Sequence, residues 1–490
     1  MNCERRQAGR VSRRELMQAA LGGAIAFGAA GEGARAAGAP EGTNGDSGPV
    51  HIGGRRELFV DDYLVDATDG DMELSLQHPS SEGVAMVLDR PWEGNTCGYV
   101  TIFQDDDRYR MYYRGSNADP DTRRHTHPET TCYAESSDGK EWHRPELGIV
   151  EFEGSKNNNI IWTGPESHNF VPFKDPNPAR RQERRYKAVG RCEGGLVAFH
   201  SADGVHWTRT REEPVLTRGA FDSQNLAFWD PVRQEYRAYF RDFRDGVRDI
   251  KTATSQDFIH WSDPQWLRYP GAPREHLYTN QVMPYYRAPH LFVGFPTRYL
   301  PNRGSQTEGL FMSSRDGLTF HRWPEAFLRP GLNEGKWGNR SNYLWWGLVE
   351  TESDLPGAPP ELSLYSNEHY YSGEFSRLRR HAIRQDGFVS AHAPMSGGEL
   401  VTKPLTFEGS RLEMNLSTAA AGGAQVELQD RAGRPIDGYS LGECPEIYTD
   451  SIQHTVKWKS GADVSQLAGR PVRLRLALSD ADVFSFRFTS

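Results

Sequence analysis

The sequence predicts an all-β protein, a ring of repeated sheet units followed by a β-sandwich, on three observations. A turn phrase recurs about every sixty residues. The same order of short alternating strands stands ahead of each copy. The last stretch, 396–490, switches to a second alternating pattern with its own turns. Composition agrees: 49 Gly and 30 Pro supply turns throughout the 490 residues, and aromatics make up 11%. Few helical apolar periods run for long.

Residues 1–36 read as an address. Arg13-Arg14 precedes a weakly apolar stretch from Ala19 to Ala30, and Ala34-Arg35-Ala36 follows as a small-residue cleavage site. The paired arginines favour the twin-arginine route, so the expected destination is the periplasm or the medium. Residues 37–54 are rich in Gly, Ser and Pro and read as a linker. No apolar run approaches the ~18 residues that a membrane span needs, so no transmembrane anchor is expected. The net charge of −9 argues against a nucleic-acid partner held by bulk positive charge.

The phrase is Ser, any residue, Asp, Gly, two residues, then an aromatic. It occurs at Ser136–Trp142, Ser201–Trp207 and Ser314–Phe320, with a variant at Ser255–Trp261 in which Phe258 replaces the glycine. Ser and Asp side chains bind neighbouring backbone N–H groups, Gly takes φ > 0, and the aromatic returns to pack between sheets. Each of these aspartates is therefore expected to be structural. Ahead of the copies, strands are expected at 99–103, 109–113 and 131–135, and again in the next three units. A fifth unit has strands at 341–348, 362–366 and 378–383 and lacks the phrase. Five units over residues 93–392 make a five-bladed β-propeller. An extra strand at 58–65 is expected to close the ring by pairing into the last blade. The propeller is thus expected over 55–395. Alternation at Leu412, Met414 and Leu416, at Val472, Leu474, Leu476 and Leu478, and at Phe484, Phe486 and Phe488 gives the sandwich over 396–490.

In a propeller the first strands surround a central shaft, and their starts meet at one mouth. Candidate catalytic carboxylates near those starts are Asp222, Glu275, Asp61, Asp62 and Glu93. Candidate substrate-binding residues are Arg114, His168, Asn225, Arg241, His276 and Arg340. Carboxylates converging with Arg, His, Asn and aromatic groups suit cleavage of a sugar linkage, in which one acid protonates the leaving oxygen and a second carboxylate activates water or attacks C1. Asp222 and one of Asp61 or Asp62 are the expected base, nucleophile or tuning group. Glu275 is the preferred acid, with Glu93 second. The remaining cysteines, Cys97, Cys132, Cys192 and Cys444, form no metal spacing. No cofactor or metal is expected.

With these repeats in view, residues 55–395 resemble the five-bladed-propeller glycoside hydrolases, the furanosidase-like superfamily that includes families 32, 43, 62, 68 and 117. The Ser-x-Asp-Gly-x-x-Trp phrases and the domain order carry the resemblance, and Phe59-Val60-Asp61-Asp62-Tyr63-Leu64 is similar to uncharacterised glycosidases of environmental bacteria. The resemblance implies catalytic carboxylates on the first strands of successive blades. The chain lacks the Asn-Asp-Pro-Asn-Gly and Glu-Cys motifs of family 32, and its second blade offers no carboxylate at the strand start, so it reads as an outlying branch. The expectation is an exported glycoside hydrolase acting on an environmental glycan or oligosaccharide. The alternative is a non-catalytic carbohydrate-binding propeller.

Overall fold

The computed structural model describes residues 48–338 and 340–490. The expected signal and most of the expected linker lie outside the described residues. Five four-stranded antiparallel sheets form a five-bladed β-propeller, and a ten-stranded sheet forms the β-sandwich. The only helices among the described residues are short 3₁₀ turns. None of them is long and apolar enough to cross a membrane.

Blade one runs Gly98–Asp105, Arg108–Gly115, Thr130–Ser136 and Ile160–Thr163 from shaft to rim. Blade two follows with Val171–Lys174, Tyr186–Cys192, Gly195–Ser201 and Thr208–Arg209. Blade three uses Leu226–Asp230, Glu235–Arg244, Val247–Ser255 and Gln265–Trp266. Blade four uses Met283–Tyr285, Ala288–Gly294, Met312–Ser314 and Phe320–Arg322, with a side hairpin Thr297–Leu300/Gln306–Gly309. All five residues of Leu226–Asp230 are buried, because a blade strand packs against a neighbouring blade on each face.

The repeated phrase ties the blades together. In blade one, Asp138 accepts from the Lys140 and Glu141 amides at 2.8 and 3.0 Å, and Ser136 Oγ accepts from Gly139 N at 2.9 Å. The same bonds recur around Asp203, Asp257 and Asp316. A tyrosine on the second strand of the preceding blade then donates to the carbonyl of the phrase glycine. Tyr112 reaches Gly204 O at 2.9 Å, Tyr239 reaches Gly317 O at 2.7 Å, and Tyr365 of blade five reaches Gly139 O. The closing aromatic packs on that same tyrosine: Trp207 on Tyr112, Phe320 on Tyr239, Trp142 on Tyr365. Blade two has no such tyrosine. There Phe258 holds φ 70° and packs on Phe173 instead.

Ring closure differs from the expectation. Blade five is Val349–Thr351, Glu361–Glu368, Arg377–Ile383 and, as its fourth strand, Ser80–Val87. Residues 58–65 do not close the ring. Glu57 and Leu58 pair with Phe486 and Ser485 of the sandwich. The missing phrase in blade five has the same cause, since its fourth strand comes from the other end of the chain and no hairpin joins it to the third.

The sandwich also takes in Val50–Gly53, Val65–Gly70 and Glu73–Leu76. Ile52, Phe59, Leu64 and Met72 share one core with Leu412, Met414, Leu474, Leu476, Phe486 and Phe488. A polar knot joins sandwich and propeller. Buried Asp386 accepts from Tyr285 Oη at 2.7 Å and Ser485 Oγ at 2.6 Å, and pairs with Arg287 at 2.9 Å and Arg56 at 3.3 Å.

Candidate active site

Strand direction decides which residues can meet. Each first strand leaves one mouth of the shaft, the second returns to it, and the third leaves again; in blade one Gly98 pairs with Arg114 and Arg114 with Thr131. That mouth therefore gathers residues before the first strands and those in the connections from second to third strand. The phrase turns and the ends of the first strands lie at the opposite face.

The first-strand starts are held by buried asparagines and by unusual backbone. Asn169 Nδ2 donates to Phe221 O and Ser223 O at 2.7 and 2.6 Å, and Asn342 Nδ2 donates to Lys336 O at 2.9 Å. Tyr99, Phe221, Gln281, Arg340 and Asn342 all hold φ between 48° and 72°. Left-handed backbone at non-glycine residues costs of order 1 kcal/mol or more each and gathers at functional sites. Below the mouth the shaft is tied shut. Gln224 Nε2 donates to Val100 O at 2.8 Å, Gln281 Nε2 to Gln224 Oε1 at 2.8 Å, and Trp346 Nε1 to Val282 O at 3.1 Å. This gives the mouth a floor.

On that floor stand tyrosines with arginines over them. Tyr99, Tyr278, Tyr343 and Tyr370 form a contiguous group: Tyr278 and Tyr370 lie 5.4 and 5.9 Å from Tyr343, and Tyr99 joins them through Trp345. Arg114 lies 4.7 Å over Tyr99 and Arg241 lies 4.5 Å over Tyr278. Arg248 lies 5.2 Å over Tyr278 and 4.8 Å over Tyr299, and Arg340 lies 5.1 Å over Tyr371. Burial, then the neighbouring tyrosines, push the Tyr99 phenol well above its ordinary range, so it stays neutral.

Two carboxylates face this group. Asp222, just before blade three's first strand, pairs with Arg241 and keeps its side chain 46% exposed. Arg241 itself is 1% exposed. Tyr99 Oη donates to the Asp222 carbonyl at 3.1 Å. Glu129, in the connection after blade one's second strand, lies 2.9 Å from His168 Nδ1 and 3.4 Å from Arg114. Burial raises the Glu129 carboxyl, but the His168 hydrogen bond and the Arg114 charge outweigh it and bring it down to about 2. His168 in turn packs edge-on against Tyr99 at 5.5 Å. Arg114 is further held by donation to Tyr370 Oη at 2.6 Å and Thr96 O at 2.8 Å.

Of the residues expected from sequence, the mouth brings together Asp222, Arg114, His168, Arg241 and Arg340. His276 stands beside them, accepting from Arg248 N at 3.1 Å and packing on Tyr299; burial and the Arg248 charge lower it, so it is neutral near pH 7. The other residues lie elsewhere. Glu93 is buried and fully engaged by Tyr113 at 2.6 Å, Arg144 at 2.9 Å and Arg90 N at 3.0 Å. Glu275 is clamped between Arg298 and Arg322 of blade four. Asp61 pairs at 3.0 Å with Arg315 of blade four's phrase turn, which places it at the opposite face. Its neighbour Asp62 is exposed beside it. Asn225 is fully buried and donates to Phe221 O at 3.1 Å, so it braces the strand start.

Glu129, Arg248, Tyr278 and Tyr370 were not among the expected site residues. A signal existed for Glu129: it directly precedes a third strand, which the antiparallel order returns to the same mouth as the first-strand starts. The opposite end of the shaft opens into a separate cavity of about 710 Å³. Its wall is mainly apolar, with Phe103, Phe228, Trp229 and Trp346, and its Asp175 is paired with Lys187. Among the described residues no group of three or more His, Cys, Asp or Glu side chains is placed to hold a metal ion, and Cys97, Cys132, Cys192 and Cys444 are unpaired.

No protein-family model and no curated protein matches the chain. Solved structures of similar course exist. One is the catalytic domain of the Coprinopsis cinerea GH62 α-L-arabinofuranosidase, at 9% identity over 63% of this chain and 99% of that one, TM-score 0.39. Another is the β-1,2-mannobiose phosphorylase of Listeria innocua, at 11% identity over 64% and 97%, TM-score 0.41. A third is the endo-arabinase of Bacteroides thetaiotaomicron, at 11% over 63% and 97%, TM-score 0.38. These likenesses concern the course of the chain. Reaction and substrate must be read from the side chains.

Proposed function

We propose that the protein is a glycoside hydrolase acting at the arginine–tyrosine mouth. The observation that carries this reading is the placement of a half-exposed carboxylate, Asp222, whose backbone carbonyl accepts from Tyr99, and of a His168–Glu129 pair from two other blades, whose imidazole packs on the same tyrosine. Tyrosine faces suit the apolar face of a sugar ring, and arginines suit its oxygen substituents. Asp222 takes the proton of an attacking water, or attacks C1 itself. Glu129 accepts from Nδ1–H of His168, and the doubly protonated imidazolium gives its Nε2 proton to the departing glycosidic oxygen, ending as the Nδ1–H imidazole. The oxygen leaves as an alcohol, and water supplies the new hydroxyl. The proton donor is thus a histidine in place of the second carboxylate expected from sequence, because both carboxylates of the mouth lie against arginines. Export through the twin-arginine route belongs to the same proposal and rests on Arg13-Arg14 and the residues after it.

The arginine pairing of both carboxylates also favours a second reading, a carbohydrate-binding propeller without turnover. A glycan panel separates the two. Sugar release by wild type, reduced about 100-fold or more in both Asp222→Asn and His168→Gln, supports hydrolysis. Binding without release in wild type supports the second reading. Equal release by all three proteins removes this site assignment.

A further inference from the structure

The mouth holds more positive charge than its carboxylates balance. Arg114 faces Glu129 and Arg241 faces Asp222. Arg248 stands over Tyr278, the ring that Arg241 also covers, in addition. Three guanidinium groups, those of Arg114, Arg241 and Arg248, against two carboxylates leave a local excess of one, on a chain whose net charge is −9. Arg241 and Arg248 share one ring, Tyr278, at 4.5 and 5.2 Å. Like charges so placed repel, and the cation–π contacts offset that only in part. Among the described residues no carboxylate lies within ion-pair distance of Arg248. Its Nε is buried without a hydrogen-bond partner, as are Nε and Nη1 of the fully buried Arg241. Donors left over in this way are what an anionic ligand satisfies.

We infer, resting on the reading of this mouth as the sugar site, that the substrate is an anionic glycan, whose carboxylate or sulfate ester is held by Arg248 with Arg241 adding charge. The planar guanidinium fork matches both oxyanions, and the tyrosine faces between the arginines take the sugar ring that bears them. Phe243 and Tyr299 wall Arg248 on two sides at 5.3 and 4.8 Å, so the anion is directed to one place on the rim. The neighbouring His276 is neutral and offers a further donor.

Calorimetric binding tests this with oligogalacturonate and alginate oligosaccharides as uronic-acid probes, carrageenan oligosaccharides as sulfated probes, and the carboxyl-reduced and desulfated forms as neutral partners. At least one anionic probe is expected to bind ten times or more tighter than its neutral form. That preference falls about tenfold in Arg248→Gln, returns in part in Arg248→Lys, and shrinks several-fold between 0.05 and 0.3 M salt. Which probe wins tells carboxylate from sulfate. Neutral forms binding as well as the anionic ones, no binding of any anionic probe, or an unchanged preference in a folded Arg248→Gln would overturn the inference and leave the arginines as braces for the tyrosines. Selective anion binding without sugar release by wild type would sink the hydrolase reading and spare this one. Cleavage of neutral glycans alone would do the reverse.

Discussion

Arg114 keeps its charge in a nearly closed site, and Glu129 is the carboxylate that faces it. Removing one partner of such a pair leaves the other uncompensated, so Glu129→Gln is expected to cost about 3 kcal/mol, read from chemical denaturation at pH 7. The carboxyl is held at about 2 against an ordinary 4.5. A depressed carboxyl contributes its stability above the unfolded value and loses it as pH falls toward the folded one. The wild type is therefore expected to lose stability relative to Glu129→Gln between about pH 4.5 and 2, and the difference to be flat above pH 5. Parallel curves through that window would contradict the pairing. Asp222, Arg114, Arg241 and Arg340 were legible in the sequence because they lie just before or at the end of recognisable strands. Glu129 carried only the weaker signal of directly preceding a third strand, because thirteen residues, 116–128, separate it from the strand that carries Arg114. Glu93 and Glu275 misled for a related reason. Their position near a strand start is real, but their arginine partners come from distant parts of the chain.

At the scale of the blade, the turn phrase does two tasks, and each has a price in substitution. Gly317 holds φ 74°, and a methyl there would stand 2.8 Å from the Tyr239 hydroxyl. Gly317→Ala is expected to destabilise by about 1–2 kcal/mol, from backbone strain and from displacing that tyrosine. Asp138→Ala removes the acceptor of two backbone amides and is expected to cost about 1–2 kcal/mol. Thermal melts check both; unchanged midpoints would show that the turns are not what joins the blades. These elements were the most legible part of the sequence, since the phrase is local and its bonds span three or four residues. The Phe258 variant was legible as a copy, but its reason was not: it fills space that blade two leaves without a tyrosine.

For the whole molecule, the two ends of the chain are woven together. Residues 50–76 pair with strands from 389 onward, while 80–87 close the propeller. Such pairings have no local signature, because register between distant strands is set by packing. The alternation at 58–65 therefore reads like a closing strand, although 80–87 takes that place. The weave predicts that a fragment of residues 55–395 loses the apolar cover of Phe59, Leu64 and Met72 and gives no cooperative melt, whereas the full chain unfolds in one transition. Soluble fragment with a sharp calorimetric transition would contradict it. Asp386→Asn, which weakens the knot between the two parts, is expected to lower the single midpoint without splitting it.

The most direct measurement is turnover on a glycan that the wild type cleaves, compared among Asp222→Asn, Glu93→Gln and Glu275→Gln, with melting midpoints to correct for stability. The geometry predicts a loss of about 100-fold or more in Asp222→Asn and folded, active enzyme from the other two. Full turnover in Asp222→Asn, with activity abolished in a folded Glu275→Gln or Glu93→Gln, would move the chemistry away from this mouth.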